Sequence, residues 1–534
     1  MNNIENVLLV AINSKYSHTN LAVRYLCKAL AKNSINSSFS EYTINQPVRD
    51  ILSDIASKRP DALLFSVYIW NIDYVLKISE AYKLMFPQTV IIMGGPEVSF
   101  GSNQFLHKNL HVNAIVSGEG EEILPTVLMQ DNIHGVYKSY TFIDMDTIPF
   151  PYDDLPSLNN RVLYYESTRG CPFGCAYCLS SADRVVRYRS LPLVFSDLQK
   201  FLDAGSMQVK FVDRTFNLNP ERAYAIWEYL IEHDNGKTNF QMEIGGDLIT
   251  DKQLELLKRA RVGLFQFEIG VQSTFEKTLN SVARKTDLPR LRKNVAAVKS
   301  FGNIHQHLDL IAGLPYEDFQ RFRISYNDVF SMQPEMLQLG FLKLLEGSTL
   351  YKNKDALELI SSPFAPYEIL STPCMDFKEL SRLKKVDDMT ETYYNSGRFG
   401  RQLEYILSIK NDPFELFLNL GERLPQRPLS KYEFYDHLYD YALTLGADGE
   451  KLSWLMRLDI CLHEKPGKLP LNCSHGASPE EKKARLPRGR EADIFYDLFP
   501  RNILSLEEES SELAAVVFDY SERDPWGHAK VSLL

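Results

Sequence analysis

Ser167-Thr168-Arg169-Gly170-Cys171-Pro172-Phe173-Gly174-Cys175-Ala176-Tyr177-Cys178 gathers three of the chain's seven cysteines on one short loop. Thiolates are the usual ligands of iron–sulfur clusters, and three on one loop reach three irons of a cubane. The fourth iron then lacks a protein ligand and is open to another molecule. Gly170, Gly174 and Pro172 suit a tight loop wrapped round an inorganic core. The rival reading is structural zinc, which generally wants four ligands, often as two pairs. Cys27, Cys374, Cys461 and Cys473 stand singly and supply no second pair. An odd, clustered set argues for metal binding in a reducing compartment over disulfides.

Working outward, the loop follows the apolar run VLYYEST (162–168). Further runs are QVKFVD (208–213), FQMEIGG (240–246), LFQFEIG (264–270), HLDLIAG (307–313) and LQLGFLKL (337–344), with helical segments between them. Six βα units predict a full or partial TIM-like (β/α) barrel over residues 161–350, with the cysteine loop at its C-terminal mouth. Upstream, residues 1–140 alternate in the same way. Strands are expected at 7–13, 38–44, 62–68, 89–95 and 113–120, and Ala22, Leu26, Ala29 and Leu30 share one helical face. Five short apolar strands separated by helices imply a doubly wound, Rossmann-like α/β domain. An acidic residue precedes the first run and no small-residue cleavage site follows it, so it reads as a strand and not a signal peptide. Residues 141–160 are rich in Pro and Asp and read as a linker. Residues 351–534 change character to a mainly helical domain, with helices at 377–395 and 432–445 and an irregular stretch from Pro466 to Arg490.

Cys171-x3-Cys175-x2-Cys178, with an aromatic before the last cysteine, resembles the signature of the radical S-adenosylmethionine (SAM) superfamily. The resemblance implies a 4Fe-4S cluster held by Cys171, Cys175 and Cys178. SAM would bind the open iron through its amino and carboxylate groups. An electron from the cluster would then split the sulfonium to a 5′-deoxyadenosyl radical. Later segments agree with it in order. Asp213 to Asn217 end the second strand, Glu243 the third, and LFQFEIGVQS carries Glu268 and Gln272. LDLIAGLPYED (308–318) supplies the Gly313-Leu314-Pro315 turn, and Tyr177 would lie near adenine. Taken one at a time, such carboxylates are ordinary strand-end residues. No general acid or base stands out.

The turns at the carboxyl ends of the first domain's strands include Tyr16, Ser66, Tyr68, Trp70, Gly94-Gly95-Pro96-Glu97 and Gly118-Glu119-Gly120-Glu121. Glycines at two adjacent strand ends let a large ligand approach the backbone. No G-x-G-x-x-G follows the first strand, which argues against a dinucleotide. A Rossmann-like domain, a linker and then this barrel resemble the cobalamin-binding subgroup of radical SAM proteins. That resemblance implies cobalamin at these turns. One departure is that D-x-H-x-x-G, which supplies a histidine to cobalt elsewhere, is absent; His18 in YSHTNLA does not match it. The alternative is a domain kept for packing, substrate binding or dimerisation.

The C-terminal region resembles an extra domain of unknown function found in cobalamin-type members. Lys482, Lys483, Arg485, Arg488 and Arg490 form a small basic run, read as a solvated loop or, alternatively, as a contact for RNA phosphates or an acidic partner. The net charge of -10 disfavours nucleic-acid binding by charge alone, and no apolar run approaches a membrane span. The reading that results is a cytoplasmic, cobalamin-dependent radical SAM enzyme of the methyltransferase type. Its rivals are rearrangement, oxidation or sulfur insertion without methyl transfer, and a non-catalytic iron–sulfur or corrinoid sensor. The substrate is open between a small molecule, a peptide and an RNA base. The family implies a flavodoxin- or ferredoxin-type electron donor.

Overall fold

The computed structural model describes residues 4–487, 493–504, 510–523 and 527–533. One compact unit takes in the chain up to Gln306 together with Gly313–Asp318 and Phe341–Asp376. The other takes in His307–Ala312, Phe319–Gly340 and the chain from Phe377.

In the first unit, β1 (Val7–Asn13), β2 (Ser37–Thr43), β3 (Ala62–Ser66), β4 (Val90–Gly94), β5 (Ala114–Ser117) and β6 (Gly135–Lys138) form one sheet in the order β2-β1-β3-β4-β5-β6. Every pairing is parallel. Both faces of β1 are covered. Leu8, Val10 and Ile12 join one core with helices Val48–Lys58 and Ile72–Met85. Val7, Leu9 and Ala11 join the opposite core with helices Leu21–Lys32 and Gly120–Leu128. Two-sided burial is why these strands read as unbroken apolar runs. Each such side chain contributes about 1.5–3 kcal/mol by leaving water. The sequence led to five strands; β6 is a sixth, and only four residues long. Strand order reverses between β1 and β3, which puts a crevice at their carboxyl ends.

The chain continues through β7 (Val162–Tyr165), a hairpin of β8 (Thr168–Arg169) and β9 (Arg187–Tyr188), β10 (Gln208–Phe211), β11 (Asn239–Ile244) and β12 (Phe265–Gln272). Strands β7, β10, β11 and β12 pair in parallel in that order. In β12, Phe265, Phe267, Ile269 and Val271 are buried, and the alternate positions carry Glu268, Gly270 and Gln272. Strands β13 (His305–Ala312) and β14 (Met336–Phe341) follow in the chain. The connection after β1 runs beside β7: Val162 N donates to Ser17 O (2.7 Å) and Thr19 Oγ1 to Val162 O (2.9 Å).

The second unit carries helices Phe377–Met389, Gly400–Ile409, Pro413–Glu422, Lys431–Thr444 and Gly449–His463. It also carries an antiparallel sheet of Ile494–Pro500, Leu513–Arg523 and Ala529–Leu533, which the sequence reading missed. Ala514, Val516 and Phe518 are buried at alternate positions, and Val516 and Phe518 pack with Leu455 and Leu458. Within the stretch read as irregular, Ser478 and Glu481 form a capping box that starts helix Pro479–Arg485. Of the basic run, Lys482 pairs with Asp497 (3.0 Å) and Arg485 donates to Leu513 O (3.0 Å), so both serve their own fold. Arg488 and Arg490 lie outside the described residues. Among the described residues, no helix is long and apolar enough to cross a membrane.

Candidate functional site

The cysteine loop leaves the β8–β9 hairpin at Gly170, whose φ is +91°. A Cβ there would stand 2.2 Å from Val185 O, so only glycine lets the hairpin close just before Cys171. Cys171 N donates to Asp183 O (3.0 Å) and Cys178 N to Cys175 O (3.1 Å). Ala176 N donates to Val282 O and Leu350 N to Ala176 O, both 2.8 Å, which pins the middle of the loop. Cys175 is buried, and Cys171 and Cys178 are partly exposed. Burial pushes the Cys171 thiol up, so ionising it calls for a cation at the sulfur. Among the described residues, no three His, Cys, Asp or Glu side chains converge on one ion. A cubane asks for no such convergence, because each thiolate meets its own iron. The donor set therefore fits a three-thiolate cluster.

Arg284, which the sequence gave no reason to single out, stands beside this loop. Its Nη1 is 4.0 Å from Cys175 Sγ and its Nη2 donates to Gly270 O at 2.5 Å. Gly270 makes room for the Gln272 amide, whose Nε2 would lie 2.2 Å from any Cβ there. Gln272 has φ +72°, and its Oε1 is buried with no hydrogen-bond partner among the described residues. An orphaned buried carbonyl at this point fits a donor supplied by a ligand. Burial raises the Tyr177 hydroxyl well above its ordinary range, against the pull of Arg284.

The remaining residues proposed for SAM divide by what already holds them. Asp213 is fully buried, accepts from Ser167 N (2.8 Å) and Ser167 Oγ (2.5 Å), and is pushed up to about 6 by burial. It therefore anchors the start of the cysteine loop to the end of β10. Asn217 exchanges two hydrogen bonds with Gly245 (2.9 and 2.8 Å). Glu268 accepts from Lys210 (2.8 and 3.0 Å) and from Gln241. In the Gly313-Leu314-Pro315 turn, Leu314 is buried and Pro315 O accepts from Thr278 Oγ1 (3.0 Å). Glu243, its carboxyl raised by burial, lines a large cavity.

That cavity, about 700 Å³, lies at the carboxyl ends of β1, β3, β4 and β5. Ser66, Tyr68, Trp70, Gly94 and Gly95 line it, as do Gly118, Glu119 and Gly120. Tyr164, Lys210 and Arg214 line it too. Gly95 has φ +115°, and a Cβ would sit 2.4 Å from Val67 O, so only glycine lets this turn pack against the end of β3. Tyr68 and Trp70 stack at 4.4 Å and 8°. Asn71, fully buried, donates to Ile12 O and Ser66 O (both 3.0 Å) and so ties the ends of β1 and β3 together. Glycines and a stacked aromatic pair lining one cavity of this size fit a large planar ligand. Three of the residues proposed for cobalamin fall outside the lining. Tyr16 is 74% exposed under Arg161, Pro96 opens helix Pro96–Ser99, and Glu97 accepts from Tyr367 Oη.

An ionic network joins this cavity to the cysteine loop. Arg169 binds Glu166 (3.0 and 2.8 Å) and Glu121 (2.9 Å) and lies 3.4 Å from Glu119. Arg187 pairs with Glu119 and Asp183. The alternation in Gly118-Glu119-Gly120-Glu121 was the visible signal; its arginine partners, 48 to 68 positions away, were not. His18 Nδ1, on the β1 loop, lies 2.9 Å from Tyr164 Oη of β7.

Comparison with known proteins agrees with this layout. Residues 7–128 match the B12 binding domain, 165–329 the radical SAM superfamily, and 356–512 a protein family of unknown function, DUF4080. The chain is 25% identical over 324 residues to the cobalamin-dependent radical SAM methyltransferase TokK of Streptomyces tokunonensis, covering 52% of this chain and 45% of that protein. It is 21% identical over 521 residues to the anaerobic magnesium-protoporphyrin IX monomethyl ester cyclase of Cereibacter sphaeroides, covering 86% and 83%. Its fold is similar to that of the cobalamin-dependent SAM radical enzyme OxsB, with TM-score 0.58, 15% identity and coverage of 85% and 72%. The cofactors these domains imply are cobalamin, a 4Fe-4S cluster and SAM. The chain thus joins a B12-binding domain, a radical SAM domain and a DUF4080 domain, in that order along the sequence.

Proposed function

We propose that this chain cleaves SAM reductively and uses the radical, with cobalamin, to methylate an unactivated carbon. The observation that carries this reading is the juxtaposition of the three-cysteine loop and the glycine-walled cavity in one compact unit. When bound, the reduced cluster supplies one electron to SAM and cobalamin supplies a methyl group. Cys171, Cys175 and Cys178 would hold three irons. Gln272 Oε1 would accept from SAM, and Tyr177 and the Gly313–Pro315 turn would border its adenine. Glu243 would face the reacting groups from the cavity wall. Asp213, Asn217 and Glu268 would act one step back, holding strand ends. Gly94, Gly95, Gly118 and Gly120 would lie against the corrin, with Ser66, Tyr68 and Trp70 at its edge. We assign residues 1–140 to the corrinoid, 161–350 to the radical chemistry and 351–534 to the additional domain, with 141–160 as linker. A flavodoxin- or ferredoxin-type donor in a reducing cytoplasm would serve the cluster.

A second reading is oxidation or rearrangement without methyl transfer. The match across 83% of the cyclase's length favours it. Anaerobic incubation with SAM and dithionite, read by mass spectrometry, tests the radical step that both share. Formation of 5′-deoxyadenosine by the native chain and its loss in Cys178→Ala is expected. A chain that holds its cluster and yields none with any reductant would be a sensor.

A further inference from the structure

The DUF4080 region holds a second cavity, about 220 Å³, lined by Arg398, Lys431, Tyr435, His463, Glu464, Arg523 and Gly527. It lies within the second unit. We propose that it binds the terminal phosphate of a phosphomonoester.

Among the described residues, three cations and one carboxylate line it. Glu464 is already engaged by Lys431 and by Tyr432 Oη (3.2 Å). The Arg398 guanidinium pairs with no carboxylate among the described residues, and its residue is exposed, so its fork is available to a ligand. Tyr435 Oη donates to Arg398 O (3.2 Å), which fixes that residue's backbone at the cavity.

Helix Gly449–His463 ends here, and its carbonyl dipole would by itself repel an anion. Arg523 answers that by donating to His463 O (3.0 Å) and Gly527 O. His463 donates through Nε2 to Gly397 O (3.1 Å). Burial first, and then His528, Arg398 and Arg523, hold its pKa down to about 4, so it adds no charge at neutral pH.

The cations converge on one small polar cavity and do not spread into a stripe. A doubly charged group with three acceptor oxygens suits that arrangement, and arginine forks bind it bidentately. At this volume the cavity takes a phosphate with room beside it for the first atoms of the group it esterifies. A backbone phosphodiester carries less charge and would need an extended track.

The test is calorimetric titration of the full chain with inorganic phosphate at low salt, repeated on Arg398→Gln and Lys431→Gln. Saturable binding that weakens about tenfold in either variant, with partial recovery in Arg398→Lys, is expected. Thermal melting of each variant confirms that it folds. Absent phosphate binding in the native chain, or equal binding in a folded Arg398→Gln, overturns the proposal. A short single-stranded RNA that binds tighter than phosphate and depends on Arg398 would also overturn it, in favour of a nucleic-acid surface.

Discussion

Arg169 Nη2 lies 2.9 Å from Glu121 Oε1, which joins the residue two places before Cys171 to the turn at the end of β5. The side chains of Arg169, Glu121 and Glu166 are only 17%, 11% and 13% exposed, so removing the cation strands carboxylates in a poorly hydrated place. Breaking such a pair costs about 3–5 kcal/mol when burial is complete. Arg169→Ala should lose stability near the lower end of that range. It should also shed corrinoid on desalting while its iron content stays level. Denaturant titration and an absorption spectrum check both.

Gln272 keeps a buried carbonyl at the end of β12 that has no partner among the described residues. Leaving such a group unmade costs about 1–3 kcal/mol. Gln272→Met should therefore stabilise the cofactor-free chain and weaken SAM binding. Denaturation midpoints and SAM titration read the two effects, and their opposite signs separate a ligand contact from a packing role.

Two glycines distinguish backbone strain from steric exclusion. Gly205 has φ +62° and open space where a Cβ would go, so Gly205→Ala carries only the left-handed strain of about 1–2 kcal/mol. Gly170→Ala would place a methyl group 2.2 Å from Val185 O and force the hairpin open before Cys171. Iron assays after reconstitution should show full loading in the first variant and a large loss in the second.

Asp213 sets a pH dependence with a definite sign. Its native carboxyl titrates at about 6 because of burial, above the ~3.9 of an unfolded chain. Between those values the folded chain keeps a proton that the unfolded chain has lost, so stability falls as pH rises through the window and levels off above it. Asp213→Asn removes that contribution. Native stability minus variant stability should fall by about 2–3 kcal/mol between pH 4 and 7; parallel curves would contradict the burial argument.

Much of this was legible in the sequence, and the gaps have physical causes. Two-sided burial made β1 an unbroken apolar run, and one glycine-rich loop announced the cysteines. Strand β6, GVYK, is half-buried at Gly135, Val136 and Tyr137 and exposed at Lys138, and carries no such signal. Ala514, Val516 and Phe518 alternate cleanly, but the run follows strong helical patterns that mask it in the sequence. Asp213, Asn217 and Glu268 looked like ligand contacts because each ends a strand, and nothing local shows that Ser167, Gly245 and Lys210 already occupy them. Arg284 reaches Cys175 from 109 positions away, beyond any motif.

The most direct test of a joint cluster and corrinoid site is anaerobic reconstitution with iron, sulfide and hydroxocobalamin, followed by desalting. Absorption and metal content are then compared for the native chain and for a variant in which Cys171, Cys175 and Cys178 are all alanine. The account predicts cluster absorption and stoichiometric corrin bands in the native chain, with the cluster lost and the corrinoid kept in the variant. Cluster absorption without corrin bands, or iron that survives the triple substitution, would contradict it.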